Sequence, residues 1–389
     1  MKRLFFLSLL SLCAQAQDVQ KVQWHGYVSQ GLTQSVDSDY LTDNNDITTD
    51  LTEVGINGRW QIRDQLALVG QLNYLNGGNR YEAGGRVDYL FLDWAAPHIA
   101  NWSTHVHLGR FKNRHWLYSA SRDVPHTRAT AILPQSVYFD GSRDIALGSD
   151  GISVQSTRSD ASGVWEVNWS YGKSSLDDDD TEAFLGPNAQ GEVKQDYVHQ
   201  FSVFYQPPSY NWRFGASWLS SDFRYDAAPR ETFFNGKSEI ERIVFSGIYF
   251  SEFWELSAEW VTESRRDAGA YAPTFVTDRT GEGGYVQARY LFNRKFSALA
   301  SYDSYTLDRD DPDGHALSAM SGGLVPSYYG YSRTYAVGAR WNIAPNWRLQ
   351  AEHHWVEGAA RATSRILPQT ATNVDKHWRM WAVQLMYWF

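Results

Sequence analysis

The sequence predicts an all-β protein, a transmembrane antiparallel β-barrel of about sixteen strands with an inward-folded third loop. Three observations carry that expectation. The last thirteen residues, H-W-R-M-W-A-V-Q-L-M-Y-W-F, place Phe389, Tyr387, Leu385, Val383 and Trp381 in one unbroken apolar row, while Trp388, Met386, Gln384 and Ala382 form a mixed row. That period of two is a strand with one face suited to lipid. Segments with the same alternation recur along the chain, joined in turn by a short connection and a long polar one, as in single-chain membrane barrels. The composition agrees, with 17 Trp, 23 Tyr and 19 Phe beside only 12 Pro, and with no run of 18 apolar residues after the N-terminal segment. A negative mean hydropathy is compatible with this fold, because only half of each barrel strand faces lipid.

Residues 1 to 16 have the pattern of a secretory signal peptide. Lys2 and Arg3 precede the apolar run Leu4 to Leu12, and Ala14-Gln15-Ala16 precedes a cut before Gln17. Cys13 invites a lipid-anchor reading, but it follows the bulky Leu12 where a lipobox wants a small residue. Residues 17 to 389 are then one cysteine-free barrel domain that needs no disulfide. Removing Lys2 and Arg3 takes the formal charge from −9 to −11, which disfavours nucleic acid as a partner.

Along the chain, Val22 to Gln34 opens with Trp24, Gly26 and Val28 on one side, and residues 35 to 50 form a polar loop. Thr52, Val54, Ile56, Gly58 and Trp60 alternate with polar residues, turn at Arg63-Asp64, and return through Leu66, Leu68, Gly70, Leu72 and Tyr74. Arg86 to Trp94 and Ser103 to Arg110 flank the short connection at Pro97 to Asn101. After a long insertion come Gly151 to Thr157 and Trp165 to Tyr171, then an acidic loop at 174 to 193. Phe201 to Tyr205, Trp212 to Trp218, Lys237 to Phe250 and Trp254 to Trp260 follow, and then Gly283 to Phe292, Phe296 to Leu307, Tyr331 to Asn342 and Trp347 to Trp355. Trp60, Trp212, Trp254 and Trp347 beside the short turns would form an aromatic girdle at one membrane interface.

The long insertion, about residues 110 to 150, is too long for a loop without a task. A barrel of this size encloses a water-filled lumen, so an apolar-studded loop can fold inward and constrict it. Its basic residues are Arg110, Lys112, Arg114, Arg122, Arg128 and Arg143, against Asp123, Asp140, Asp144 and Asp150, a local +2. Basic groups at a narrowing favour anions. Glu53, Asp88, Glu255 and Glu259 can point into the same lumen and oppose that preference.

The run Gly109-Arg110, Arg122-Asp123-Val124-Pro125, Thr127-Arg128, Leu133-Pro134-Gln135-Ser136, Arg143 and Ser149-Asp150-Gly151 resembles the third-loop region of the phosphate-selective porin O and P family. The resemblance implies a sixteen-stranded trimeric porin of a Gram-negative outer membrane, with Arg110, Lys112, Arg114, Arg122, Asp123, Arg128, Arg143 and Asp144 at the constriction. The last strand also resembles the closing strand of bacterial outer-membrane barrels, which implies that Tyr387 and Phe389 are an assembly signal read by the barrel assembly machinery. Outer-membrane lipid, lipopolysaccharide and small hydrophilic solutes are the other partners implied. The outer loops depart from the family: in place of a lysine-rich loop that collects phosphate they carry Asp177 to Asp180 and Asp308, Asp310, Asp311 and Asp313.

Plainer readings stand beside these. Arg122 and Asp123 can be a salt bridge that pins the loop to the wall, and Arg128 and Arg143 can serve likewise. Asp177 to Asp180 lack the spaced ligands and turn glycines of a Ca²⁺ site and read as a solvated loop. His105 and His107 alternate on one strand face, where a lumen-facing pair is the simpler account and no metal is assigned. Glu255, Glu259 and Glu263 line the same wall, and no spacing singles out a catalytic triad or carboxylate pair. The expected function is a passive diffusion porin for small hydrophilic solutes with a weak, phosphate-like anion preference and no cofactor. The competing class is an outer-membrane barrel enzyme such as a phospholipase.

Overall fold

Alternation assigns each strand residue to one of two media, and the closed sheet removes every edge that lipid could not satisfy. The computed structural model describes residues 22 to 389 apart from 82, 144 to 146 and 363 to 372. The expected signal peptide, Cys13 and Asp144 lie outside the described residues.

Sixteen antiparallel strands form one closed barrel. They are β1 (Val22–Ser38), β2 (Thr48–Arg63), β3 (Leu66–Asn76), β4 (Gly84–Ala95), β5 (Trp102–Lys112), β6 (Gly148–Asp160), β7 (Gly163–Lys173) and β8 (Glu192–Gln206). The second half comprises β9 (Trp212–Asp226), β10 (Gly236–Phe250), β11 (Trp254–Gly269), β12 (Val276–Leu291), β13 (Phe296–Thr306), β14 (Tyr331–Ala344), β15 (Trp347–Gly358) and β16 (Val374–Trp388). Each strand pairs with its sequence neighbours, and β1 meets β16 to close the ring. At the seam, Gly26 and Phe389 exchange backbone hydrogen bonds of 3.1 and 3.0 Å. A Cβ on Gly26 would lie 2.5 Å from the Phe389 ring, so the glycine makes room for the terminal side chain.

The last strand divides as its sequence predicts. Leu385 and Phe389 face outward, whereas Ala382, Gln384 and Met386 are buried inside. The same parity exposes Val54, Ile56, Leu72, Leu90, Leu92, Val286 and Val337 on the outer face. Trp60, Trp212, Trp254 and Trp347 are also exposed, beside the short turns. The inner face is polar and buried, from Ser29, Thr33 and Ser35 of β1 to Gln350 and Glu352 of β15.

The segment at 174 to 193 is not the open polar loop that its acidity suggests. It contains α1 (Asp178–Leu185), capped by Asp177, whose carboxylate accepts from the Asp180 backbone N–H at 3.1 Å. Aspartates in a first helical turn offset the helix dipole, so the acidic run is a helix start. The helix ends on Phe184 and Leu185, both buried, with the Phe184 ring 5.0 Å from that of Phe223 on β9. Asp311 plays a comparable part ahead of α2 (His315–Met320), accepting from the backbone of Ala316 and Leu317.

Candidate functional site

The third long loop, described over residues 113 to 143 and at 147, leaves β5, crosses the lumen and returns to β6. Its entry and exit strands press closely on their outer neighbours, β4 and β7. A Cβ on Gly151 would meet the Tyr171 carbonyl oxygen at 2.2 Å, and one on Gly109, where φ is +127°, would meet the Leu90 carbonyl oxygen at 2.6 Å. Only glycine tolerates both constraints, which explains the two glycines that bracket the motif.

Inside, the loop packs on two apolar patches of the wall. Trp116, Leu133, Val137 and Tyr138 join Val244, Val261, Tyr285 and Tyr305 from β10 to β13. Ala131 and Ile132 join Leu51, Val356, Trp378 and Met380 from β2, β15 and β16. A loop has no ladder partner, so its buried backbone needs side-chain partners. The wall supplies them from distant strands. Glu352 accepts from the N–H groups of Ala131 and Ile132 at 2.8 Å each, and Asp303 accepts from that of Gln135 at 2.9 Å. Glu259 accepts from Leu117 N–H at 3.0 Å and from the Tyr138 hydroxyl. In the other direction Arg242 donates to the Val137 carbonyl at 2.6 Å, Arg340 to those of Arg128 and Ala129 at 2.6 and 2.9 Å, and Arg348 to that of His126 at 2.6 Å. The His126 ring stacks on Trp388 of the closing strand, with 4.6 Å between centroids.

Most of the loop's own charges are consumed in holding it. Arg122 and Asp123 do not pair with each other, as adjacency suggests. Arg122 bonds Asp140 at 2.5 Å and the Tyr138 carbonyl at 2.7 Å, while Asp123 accepts from Lys112 at 2.5 Å and from Arg143. Lys112 also reaches Asp88, Arg80 reaches Asp140 at 3.1 Å, and Arg128 reaches Glu53 at 2.5 Å. Arg122, Asp123, Arg128 and Arg143 are all buried. Burial alone would raise the Asp123 carboxyl, but Arg143 and Lys112 outweigh it and hold the group well below the usual carboxylate range. Arg110 pairs with Asp150 across β5 and β6 at 2.9 Å, at the rim of a cavity of about 1150 Å³ on the long-loop side. That vestibule is lined by Asp39, Asp43, Asp50, Asp177 and Asp180 as well as by Arg80 and Arg86, and Asp140, Lys112 and Arg143 lie in its wall. Arg114 is exposed in the lumen, where Glu166 and Arg213 act on it electrostatically.

A second group of cations that the motif overlooks stands on the wall nearer the short turns. Arg213 pairs with Glu166 at 2.9 Å, Arg289 with Glu255, and Arg59 with Asp93 at 2.6 Å. Arg340 and Arg348 differ: their partners are the loop carbonyls and, for Arg348, the Asn342 amide oxygen at 2.9 Å. Among the described residues, Arg114, Arg340 and Arg348 make no ion pair with a carboxylate. Arg340 and Arg348 could have been found in the sequence by parity, since both occupy inward positions within five residues of the short turn between β14 and β15.

Neither a protein-family model nor a curated protein sequence matches the chain. Solved structures do. The outer membrane channel DcaP of Acinetobacter baumannii superposes with a TM-score of 0.59 at 9% identity, covering 95% of this chain and 97% of that one. The anion-selective porin from Comamonas acidovorans gives 0.59 at 12%, covering 95% and 99%. The trimer form of OmpT, an outer membrane protein of Vibrio cholerae, gives 0.57 at 13%, covering 95% and 99%. At such identities it is the architecture that is shared, and this chain has the sixteen-stranded fold of outer-membrane porins.

Proposed function

We propose that the protein is a passive diffusion channel in the outer membrane of a Gram-negative bacterium, admitting small hydrophilic solutes with a weak preference for anions. The observation that carries the reading is a closed barrel with a polar interior and an inward loop, beside which Arg340 and Arg348 are neutralised by no carboxylate among the described residues. In a confined, water-poor passage such charges act more strongly than those of an outer loop. The anion-selective neighbour supports the preference by analogy of fold. The phosphate-specific reading rests on the loop motif alone, and the aspartate-lined vestibule is poorly built to gather phosphate.

Within this reading residues 1 to 16 are removed on export, Tyr387 and Phe389 present the assembly signal, and three copies associate, as in the trimer form of the Vibrio cholerae neighbour. The test is single-channel recording in planar bilayers under a salt gradient. Stepwise conductance with a reversal potential on the anion side is expected. Absence of steps would overturn the channel, and a cation-side potential would overturn the preference. Monomeric mass in mild detergent would remove the trimer.

A further inference from the structure

The lumen wall carries a cluster that neither the loop nor the channel reading uses. On β5, His105 and His107 point the same way, and Asp93 of β4 lies directly across from His107 in the register. Asp93 Oδ1 is 2.7 Å from His105 Nδ1 and 3.4 Å from His107 Nε2, and one ligand atom from each residue falls within 4.8 Å of the others. A tetrahedral ion with bonds of about 2.0–2.1 Å sets its ligand atoms roughly 3.3 Å apart, so the Asp93 oxygen is already near its place and the two imidazoles would close on the ion by up to about 1.5 Å. The surroundings are those of a held site. Arg59 takes the other carboxylate oxygen, Oδ2, at 2.6 Å and leaves Oδ1 to face the two imidazoles. The Phe91 ring stacks on His107 at 4.2 Å and fixes its plane, and the Gln155 side-chain amide lies 3.3 Å from His107 Nδ1, where its oxygen, turned inward, would accept the N–H of a metal-bound tautomer. Asp93 is 3% exposed and His105 39%, so the cluster is buried on its carboxylate side and open to the lumen through His105.

We propose that Asp93, His105 and His107 form a binding site for a divalent transition-metal ion, zinc being the best match to two imidazoles and one carboxylate, with the fourth position open to water or to a passing solute. Both strands are locked in the barrel ladder, so the ligands are held before the ion arrives. Arg59 orients the carboxylate and also repels the ion, which weakens its binding. The site stands independently of ion selectivity.

The experiment is calorimetric titration of ZnCl2 into untagged, chelator-stripped full-length protein in detergent, repeated for variants that keep the heat-modifiable migration of a folded barrel. One equivalent of Zn²⁺ is expected to bind the parent, at least tenfold more weakly to His105→Ala and to Asp93→Asn, and unchanged to His377→Ala, whose histidine lies on β16. Because His105 is partly exposed, its replacement leaves the fold in place. No saturable binding in the parent, or equal binding in His105→Ala and Asp93→Asn, would overturn the site.

Discussion

The barrel wall and the loop that crosses it are held by different means. Each strand satisfies its backbone through its neighbours, so the wall asks of a side chain little more than the right medium for its parity. The loop has no neighbour of that kind. Its carbonyls and N–H groups end on Glu352, Asp303, Glu259, Arg242, Arg340 and Arg348, each a particular charged side chain on a particular strand. The wall should therefore tolerate exchange within a class, while the loop should fail at single atoms.

The sharpest break of that contrast is Asp123→Ala. It removes the buried carboxylate that Arg143 and Lys112 share, leaving Lys112 with Asp88. Removing one member of a buried pair costs about 3–5 kcal/mol, here charged against loop docking and not against the barrel. Hydrogen exchange of residues 113 to 143 should rise sharply, with strand protection intact. Equal protection of the loop in the variant would mean that the pair holds nothing.

On the wall, the comparable insult is a charge on the lipid face. Val337→Arg, on the exposed side of β14 near mid-strand, should lower stability in lipid by about 2–4 kcal/mol, whereas Val337→Leu should change it little. Urea unfolding in liposomes would separate the two. Deleting Phe389 should cost the finished barrel only ~2 kcal/mol, because its ring is 47% exposed at the seam, while reducing assembly in cells much more. Normal outer-membrane levels of the truncated chain would end its role as a signal.

The smallest effect concerns pH. Burial, then Arg348 and Arg128, push His126 down to about 4, and burial, then Arg242, hold His115 well below its ordinary value. A released loop would protonate both near pH 6.5, so it binds more protons than the docked loop. Docking is therefore at full strength above that pH and weakens as pH falls toward 4. Loop hydrogen exchange corrected for intrinsic rates should be flat from pH 8 to 7 and rise between 6 and 4. An effect of opposite sign would refute the assignment of these histidines.

The wall was readable because its rule is local. Phe389, Leu385, Trp254, Leu256 and Leu92 announce their side by parity alone, and the girdle tryptophans by their nearness to turns. That the loop would fold inward also followed from its length and apolar content, and Glu53 and Glu259 were visible as lumen groups. Its partners were not. Arg128 meets Glu53 across 75 positions, Ala131 meets Glu352 across 221, and the Arg340 contact with Arg128 spans 212, so nothing near the loop in sequence identifies them. Adjacency misled at Arg122 and Asp123, which lie side by side yet bond to Asp140 and to Arg143 with Lys112. The acidic run before α1 misled for a related reason: Phe184 and Leu185 decide where that segment goes, and its aspartates only start the helix.

The most direct measurement is the reversal potential in a tenfold KCl gradient for the parent, the double variant Arg340→Gln with Arg348→Gln, and Arg110→Gln as a rim control. The wall arginines carry the anion preference if the parent sits on the anion side, the double variant moves toward or past zero, and Arg110→Gln, already paired with Asp150, shifts little. A double variant as anion-selective as the parent, with the shift appearing in Arg110→Gln instead, would contradict the account and return the preference to the residues that the sequence motif names.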